Sequence, residues 1–203
     1  PTGELTGDYA TMDTLLRDEW QSTFCLYTQL PAPIWERFEE RYGQYFPRTE
    51  AMQRTALTPA RLREILRKMK PGTSLGVDGW SVPELRSWCD ELLQRLCDLL
   101  HTIEKHGTWP EAIAKGLVSP LPKGAGMKAG QVRPITVMSV IYRLWAGARV
   151  RELIEWQETW LAKQITSYRP EASCAETWWE QALLIEEAVL FDEPRLGLNF
   201  DFE

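Results

Sequence analysis

The sequence predicts an α+β protein that is mostly helical and carries one two-stranded basic hairpin. Apolar residues recur at spacings of three and four over most of the 203 residues, the pattern of one-sided helices. That spacing gives way to strand-like runs in Gly116-Leu117-Val118-Ser119-Pro120-Leu121-Pro122 and Gln131-Val132-Arg133-Pro134-Ile135-Thr136-Val137. Between them, residues 123–130 hold three glycines and two lysines, a composition suited to a hairpin loop.

Taken in order, the first 50 residues hold two amphipathic patterns, Met12 to Leu30 and Ile34 to Tyr45, separated by Pro31-Ala32-Pro33 and closed by Pro47. Their Trp20, Phe24, Trp35, Phe38 and Tyr42 are expected to pack inward. Thr58-Pro59 offers an N-cap followed by proline at the first helical position, and Leu62, Ile65, Leu66 and Met69 make a short helix with a basic outer face that ends at Pro71-Gly72. Ser81 and Glu84 form a capping box, after which Leu85, Trp88, Cys89, Leu92, Leu93, Leu96, Leu99, Leu100 and Ile103 step by three and four as far as the stop at Gly107. This predicts one long helix with those residues in the core. Prolines inside both strands mark them as edges, so the hairpin is expected to project. Ser139 caps a further long helix through Ile141, Leu144, Trp145, Ala148, Leu153 and Trp156 toward Trp160. A loop at Thr166 to Ser173, a helix from Ala175 to Leu190 and a final strand from Gly197 to Phe202 complete the chain.

No run approaches the roughly 20 consecutive apolar residues of a membrane-spanning helix, and Pro1-Thr2-Gly3-Glu4 lacks the basic and apolar parts of a signal peptide. The expectation is an intracellular protein, cytoplasmic or nuclear, neither secreted nor membrane-bound. Cys25, Cys89, Cys97 and Cys174 stand 64, 8 and 77 residues apart, without the close pairs of a zinc site or the density of a disulfide framework, and are expected to be reduced core thiols. The chain begins without methionine and stops at Asn199-Phe200-Asp201-Phe202-Glu203, a strand-like segment, which predicts a fragment cut inside a domain.

The formal charge of -6 argues at first against a nucleic-acid partner. It is unevenly spread: -5 over residues 1–50, +7 over 51–150 and -8 over 151–203. From Ala112 to Arg151 there are seven cations, Lys115, Lys123, Lys128, Arg133, Arg143, Arg149 and Arg151, and no carboxylate. A solvated face normally mixes signs, so this stretch favours a polyanion partner.

Lys123 at the end of one strand and Arg133 on the other can grip a phosphate chain, lysine as a point charge and arginine through its planar fork. Gly124-Ala125-Gly126 does not lead from a strand into a helix, which excludes a P-loop. The residues alone leave open whether this is a phosphate site or an exposed basic turn. Asp201, between Phe200 and Phe202, is a carboxylate among apolar neighbours and needs a partner or a metal. His101 and His106 are five apart and share no helix face; both read as structural or exposed. No Ser/His/Asp or Cys/His constellation can be assembled.

The segments Leu66-Arg67-Lys68-Met69-Lys70-Pro71-Gly72-Thr73-Ser74-Leu75-Gly76-Val77-Asp78-Gly79-Trp80-Ser81, then Leu121-Pro122-Lys123-Gly124, then Arg133-Pro134-Ile135-Thr136 followed by Val140-Ile141-Tyr142-Arg143-Leu144, together resemble a reverse transcriptase of the non-LTR retrotransposon or group II intron type. The resemblance covers roughly residues 60–203 and keeps the family's motif order. It implies the fingers and the start of the palm of a right-hand polymerase: a helical N-terminal extension over 1–57, fingers over 58–195 and the first palm strand over 196–203. It further implies that Lys123 and Arg133 contact the triphosphate of the incoming deoxynucleotide. Asp201 would be the catalytic ligand of Mg2+ or Mn2+, with the Phe202 carbonyl as a second contact. The implied partners are an RNA template, a DNA primer and deoxynucleoside triphosphates, and further nucleic-acid contacts are assigned to Lys115, Lys128, Arg143 and Arg169. Asp78 is expected to be a turn or cap residue. The chain departs from the family at Ser167-Tyr168-Arg169-Pro170-Glu171-Ala172-Ser173, where S-Y-G-F-R-P-G-R-S is common. Two other identities are weighed against this one: the fingers of a viral-type RNA-dependent RNA polymerase, and a domesticated RNA-binding module that has lost catalysis.

Overall fold

A computed structural model of the chain describes residues 6–46, 49–124, 128–163, 165–167, 169, 170, 172–194, 196 and 197. Helices α1 (Tyr9–Phe24), α2 (Trp35–Tyr42), α3 (Pro59–Lys68), α4 (Val82–Ser87), α5 (Asp90–His106) and α6 (Glu111–Ala114) precede strands β1 (Leu117–Pro122) and β2 (Val132–Val137). Helices α7 (Val140–Gln157) and α8 (Cys174–Leu190) follow. The chain is therefore mostly helical with one small antiparallel sheet, the expected α+β class. It divides into two compact units, Pro1–Pro47 with Thr55–Arg149, and Arg48–Arg54 with Val150–Glu203. No helix among the described residues is long and apolar enough to cross a membrane.

The core of the first unit is built by three helical stripes: Leu62, Ile65 and Leu66 of α3, Leu93, Leu96, Cys97, Leu100 and Ile103 of α5, and Val140, Ile141, Leu144 and Ala148 of α7. Val82 and Leu85 of α4 and Ile113 of α6 complete it. Each stripe follows the spacing of three and four that puts side chains on one helix face, and burying each such side chain contributes about 1.5–3 kcal/mol. The caps are the expected ones. Thr58 Oγ1 accepts from the Arg61 amide and Pro59 opens α3. Ser81 and Glu84 form the reciprocal capping box of α4, and Gly107 ends α5 at φ 69°, a left-handed position that glycine adopts without a Cβ penalty.

The single long helix expected from Ser81 to Gly107 is two helices. Trp88 and Cys89 take extended backbone angles between α4 and α5. The break is held from outside: the Arg63 guanidinium donates to the Trp88 carbonyl and to Asp90 Oδ1, both at 2.8 Å, and Trp80 meets the Trp88 ring edge-on at 5.2 Å. Arg86 meanwhile donates to the carbonyls of Leu66, Arg67 and Met69, closing the end of α3. Asp90 and Glu91 then occupy the first turn of α5, where the helix dipole favours anions. Restarting the helix also turns Cys89, Leu92 and Leu99 outward, although the periodicity places all three in the core.

Two other expectations are corrected. Phe24, Trp35, Phe38 and Tyr42 are exposed and Trp20 half-buried, not packed inward. These rings stack locally instead, Trp20 on Phe24 and Phe38 against Trp35, Tyr42 and Phe46, because α1 and α2 bury no residue fully. Of the four thiols, all unbridged, only Cys97 is buried; Cys25, Cys89 and Cys174 are exposed. Burial pushes the Cys97 thiol above its ordinary range, with the Asp98 charge adding to the effect.

One buried ion pair joins α5 to α7. Arg149 donates to both Glu104 oxygens, at 2.6 and 2.8 Å, and to the Thr55 carbonyl, while Trp145 Nε1 donates to Glu104. The two side chains are only 11% and 10% exposed, so neither has water to fall back on. Arg149→Met, which strands the Glu104 carboxylate, is expected to lower stability by about 3–5 kcal/mol in urea unfolding. Arg17→Met, at an exposed pair with Asp13, should cost under about 1 kcal/mol.

Candidate phosphate-binding hairpin

β1 and β2 pair with Leu117 opposite Val137, Ser119 opposite Ile135, Leu121 opposite Arg133 and Pro122 opposite Val132. The Lys123 amide donates to the Gln131 carbonyl at 2.7 Å, carrying the pairing one residue past the strand end. Because side chains alternate, Lys123 falls on the same face as Leu121 and Arg133, and the two cations are diagonal neighbours across the ladder. The ladder tolerates its prolines since Pro120 lies opposite Pro134 in a sheet that is all edge.

The opposite face of the hairpin looks toward α1 across an open groove. Val118, Pro120, Val132 and Pro134 line a groove with Leu16, Trp20 and Phe24 of α1, and Gly130 lies so near Glu19 that an added Cβ would sit 2.6 Å from its carboxylate. Helix α1 therefore backs one face, and the face bearing Lys123 and Arg133 is turned away from it. Both side chains are exposed and neither has an ion-pair partner among the described residues. Gly124 follows at φ 66° and starts the loop in a conformation that favours glycine.

The other cations of the acid-free stretch are placed differently. Lys115 pairs with Glu111 one turn earlier, at 2.6 Å, and Arg149 is consumed by Glu104. Arg143 donates to the Ser74 carbonyl. Lys128 is exposed beside the loop, its amide donating to Gln131 Oε1. The sequence stretch is free of acid, but the space around it is not, since Glu104, Glu111 and Glu19 come from outside it. In the second unit Arg169 is paired with Glu158 and also donates to the carbonyls of Ala162, Lys163 and Ile165, closing its loop as a clasp. The structure thus brings Lys123 and Arg133 together on one open face with Lys128 on the adjoining loop, and uses Arg143 and Arg169 to hold backbone. Asp201 and Phe202 lie outside the described residues, as does most of the final strand. Among the described residues no group of three His, Cys, Asp or Glu side chains is placed to hold a metal ion.

The base of the hairpin holds residues whose role the sequence concealed. Ser139, fully buried between β2 and α7, accepts from the Ile141 amide and donates its hydroxyl to Asp78 Oδ2 at 2.6 Å. Asp78 lies in a turn closed by the Gly79 amide on the Gly76 carbonyl, as expected, and its side chain also reaches 61 residues along the chain. Gly76 makes this possible, because a Cβ there would lie 2.5 Å from Ser139 Cα. On the other strand, a Cβ on Gly116 would meet Thr136 at 2.5 Å. The paired glycine and aspartate in Gly76-Val77-Asp78-Gly79 were the available signal. Set against family models and curated proteins, the chain matches none.

The Glu158–Arg169 clasp has a definite pH sign. The Arg169 hydrogen bond holds the Glu158 carboxyl below its ordinary range, partly opposed by desolvation. A lowered folded-state value means that the clasp's contribution is present above the ordinary carboxylate range and fades as pH falls through the lowered value. Amide protection, the exchange rate relative to an unfolded chain at the same pH, at Ala162, Lys163, Ile165 and Arg169 is therefore expected to hold past the point where a free glutamate is half protonated and to fall only at lower pH. Glu158→Gln should abolish that acid step; an unchanged step in the variant would contradict the assignment.

Proposed function

We propose that the chain is the fingers part and the start of the palm of a reverse transcriptase, an RNA-directed DNA polymerase of the mobile-element type. The hairpin is the element that meets the triphosphate of the incoming deoxynucleotide. The observation that carries this is the open hairpin face: two cations set diagonally on paired strands, unpaired with any acid among the described residues, backed on the far side by α1 and leading into a glycine-started loop. A triphosphate presents several anionic oxygens in a row, which suits one point charge and one planar fork a few ångströms apart. Supporting it, the motif segments on which the resemblance rests lie far apart in sequence, and two of them meet at one joint, while Leu121-Pro122-Lys123-Gly124 pairs with the start of β2 at the hairpin's other end. Asp78 of the first bonds to Ser139, the residue that links Arg133-Pro134-Ile135-Thr136 to Val140-Ile141-Tyr142-Arg143-Leu144.

Within this proposal Lys123 and Arg133 capture and orient the phosphate chain, and Lys128 on the adjoining loop adds a contact to the nucleic-acid backbone. Asp201 is the ligand expected for Mg2+ or Mn2+, the ion that activates the attacking hydroxyl and neutralises the leaving pyrophosphate in such enzymes. Phosphate capture by the hairpin does not depend on it. The 203 residues contain no adjacent pair of aspartates, so deoxynucleotide transfer is not expected of them alone.

The charge-reversed variant Lys123→Glu/Arg133→Glu is expected to bind single-stranded RNA more weakly. The slope of log affinity against log salt should become shallower by about 1.4, roughly 0.7 for each phosphate that a cation no longer neutralises. An unchanged slope would remove the hairpin from the interface. In a longer chain that carries the palm aspartates, Mg2+-dependent incorporation of deoxynucleotides on an RNA template supports the polymerase, whereas binding without synthesis would support the RNA-binding module instead.

A further inference from the structure

The hairpin joins the helical body of its unit at two places, Gly116 before β1 and Met138-Ser139 after β2. The second is clasped by a loop from elsewhere in the sequence. Asp78 Oδ2 accepts the Ser139 hydroxyl at 2.6 Å, Arg143, one turn into α7, donates to the Ser74 carbonyl, and Gly76 lies flush against the Ser139 backbone between them. Two bonds and one backbone contact thus fix the first turn of α7, and with it the direction in which β2 leaves.

Asp78 makes this bond at a cost. Its Oδ1 is buried with no hydrogen-bond partner among the described residues, and a buried unsatisfied carboxylate oxygen opposes folding. An asparagine would keep an acceptor for Ser139 without the charge. Ser139 Oγ caps α7 by accepting from the Ile141 amide, and Asp78 accepts the hydroxyl proton that this fully buried side chain has to place. What the bond also supplies is a fixed link between residues 74–78 and the hairpin's exit.

We infer that Asp78 is a positioning residue: by accepting the Ser139 hydroxyl it sets the angle at which the hairpin leaves the helical body, and so aims Lys123 and Arg133 at their phosphate ligand. This rests on the phosphate-binding assignment of the hairpin. Asp78 touches no ligand and acts through Ser139 and β2.

The test uses the whole chain, with a short oligouridine and a deoxynucleoside triphosphate as probes, at a temperature where circular dichroism shows each variant folded. Asp78→Ala is expected to weaken binding about three- to tenfold and to make the salt slope shallower, because misaimed cations make fewer phosphate contacts. Asp78→Asn, which keeps the acceptor, should restore both. In a Lys123→Ala/Arg133→Ala background, Asp78→Ala should have no further effect, a coupling that a loss of stability alone would not produce. Should Asp78→Ala fail to fold, Ser139→Ala removes the same bond from the donor side and is expected to weaken binding in the same way. A slope that depends on Lys123 and Arg133 but ignores both Asp78→Ala and Ser139→Ala overturns the positioning role and leaves the phosphate assignment standing. A slope indifferent to Lys123 and Arg133 overturns both.

Discussion

Ser139 sits with no exposed surface at the point where a strand ends and a helix begins, and the glycine at position 76 lets a distant loop press directly onto its backbone. One of the hairpin's two attachments to the helical body passes through this contact. A two-stranded sheet has little stability of its own in water and takes its orientation from what it is attached to. Here the attachment is α7, whose Val140, Ile141 and Leu144 enter the core beside the stripes of α3 and α5, and whose Arg149 closes a buried bidentate pair with Glu104. The first turn of α7 is therefore held below by apolar packing and from the side by Asp78 and Ser74. A cation at position 133 is four residues from β2's last residue and inherits that fixed direction.

The charge distribution takes on a spatial meaning once the partners are placed. A net +7 over residues 51–150 suggests a broad basic surface. Within the acid-free stretch Arg149 is neutralised in the core, Lys115 pairs along its own helix turn and Arg143 holds a loop carbonyl, while outside that stretch Arg67, Lys70, Arg95 and Lys105 stay exposed. The cluster on the hairpin itself, Lys123 and Arg133 with Lys128 nearby, is small. It is also turned away from α1, whose Asp13, Asp18 and Glu19 face the hairpin's other side. A small cluster of exposed cations on an open face suits a short, densely charged ligand such as a triphosphate.

Much of this was legible in the sequence, for reasons that also explain the misses. The helix starts at Thr58 and Ser81, the stop at Gly107 and both strands rest on local chemistry, caps, φ restrictions and alternation, and they stand where the sequence put them. The break at Trp88-Cys89 was hidden because an apolar stripe can run unbroken through a chain that bends; what bends it is Arg63, 25 residues away, taking the Trp88 carbonyl. The aromatic residues of α1 and α2 were expected inside because periodicity reports which side chains share a face, not whether anything covers that face. That Lys123 and Arg133 belong to opposing strands was legible from the two strand-like runs, whereas the register that puts them on one face was not. The Asp78–Ser139 bond was not legible either, since no local rule links residues 61 apart.

Whether the open face of the hairpin receives phosphate is tested most directly by following amide chemical shifts by NMR during titration with a deoxynucleoside triphosphate. Saturable shifts are expected in the amides of Leu121, Lys123, Gly124, Gln131 and Arg133, with smaller changes passed to Ser139 and Asp78. Shifts confined to α8 or to residues 158–170, with the hairpin amides unmoved at saturation, would contradict phosphate binding at the hairpin.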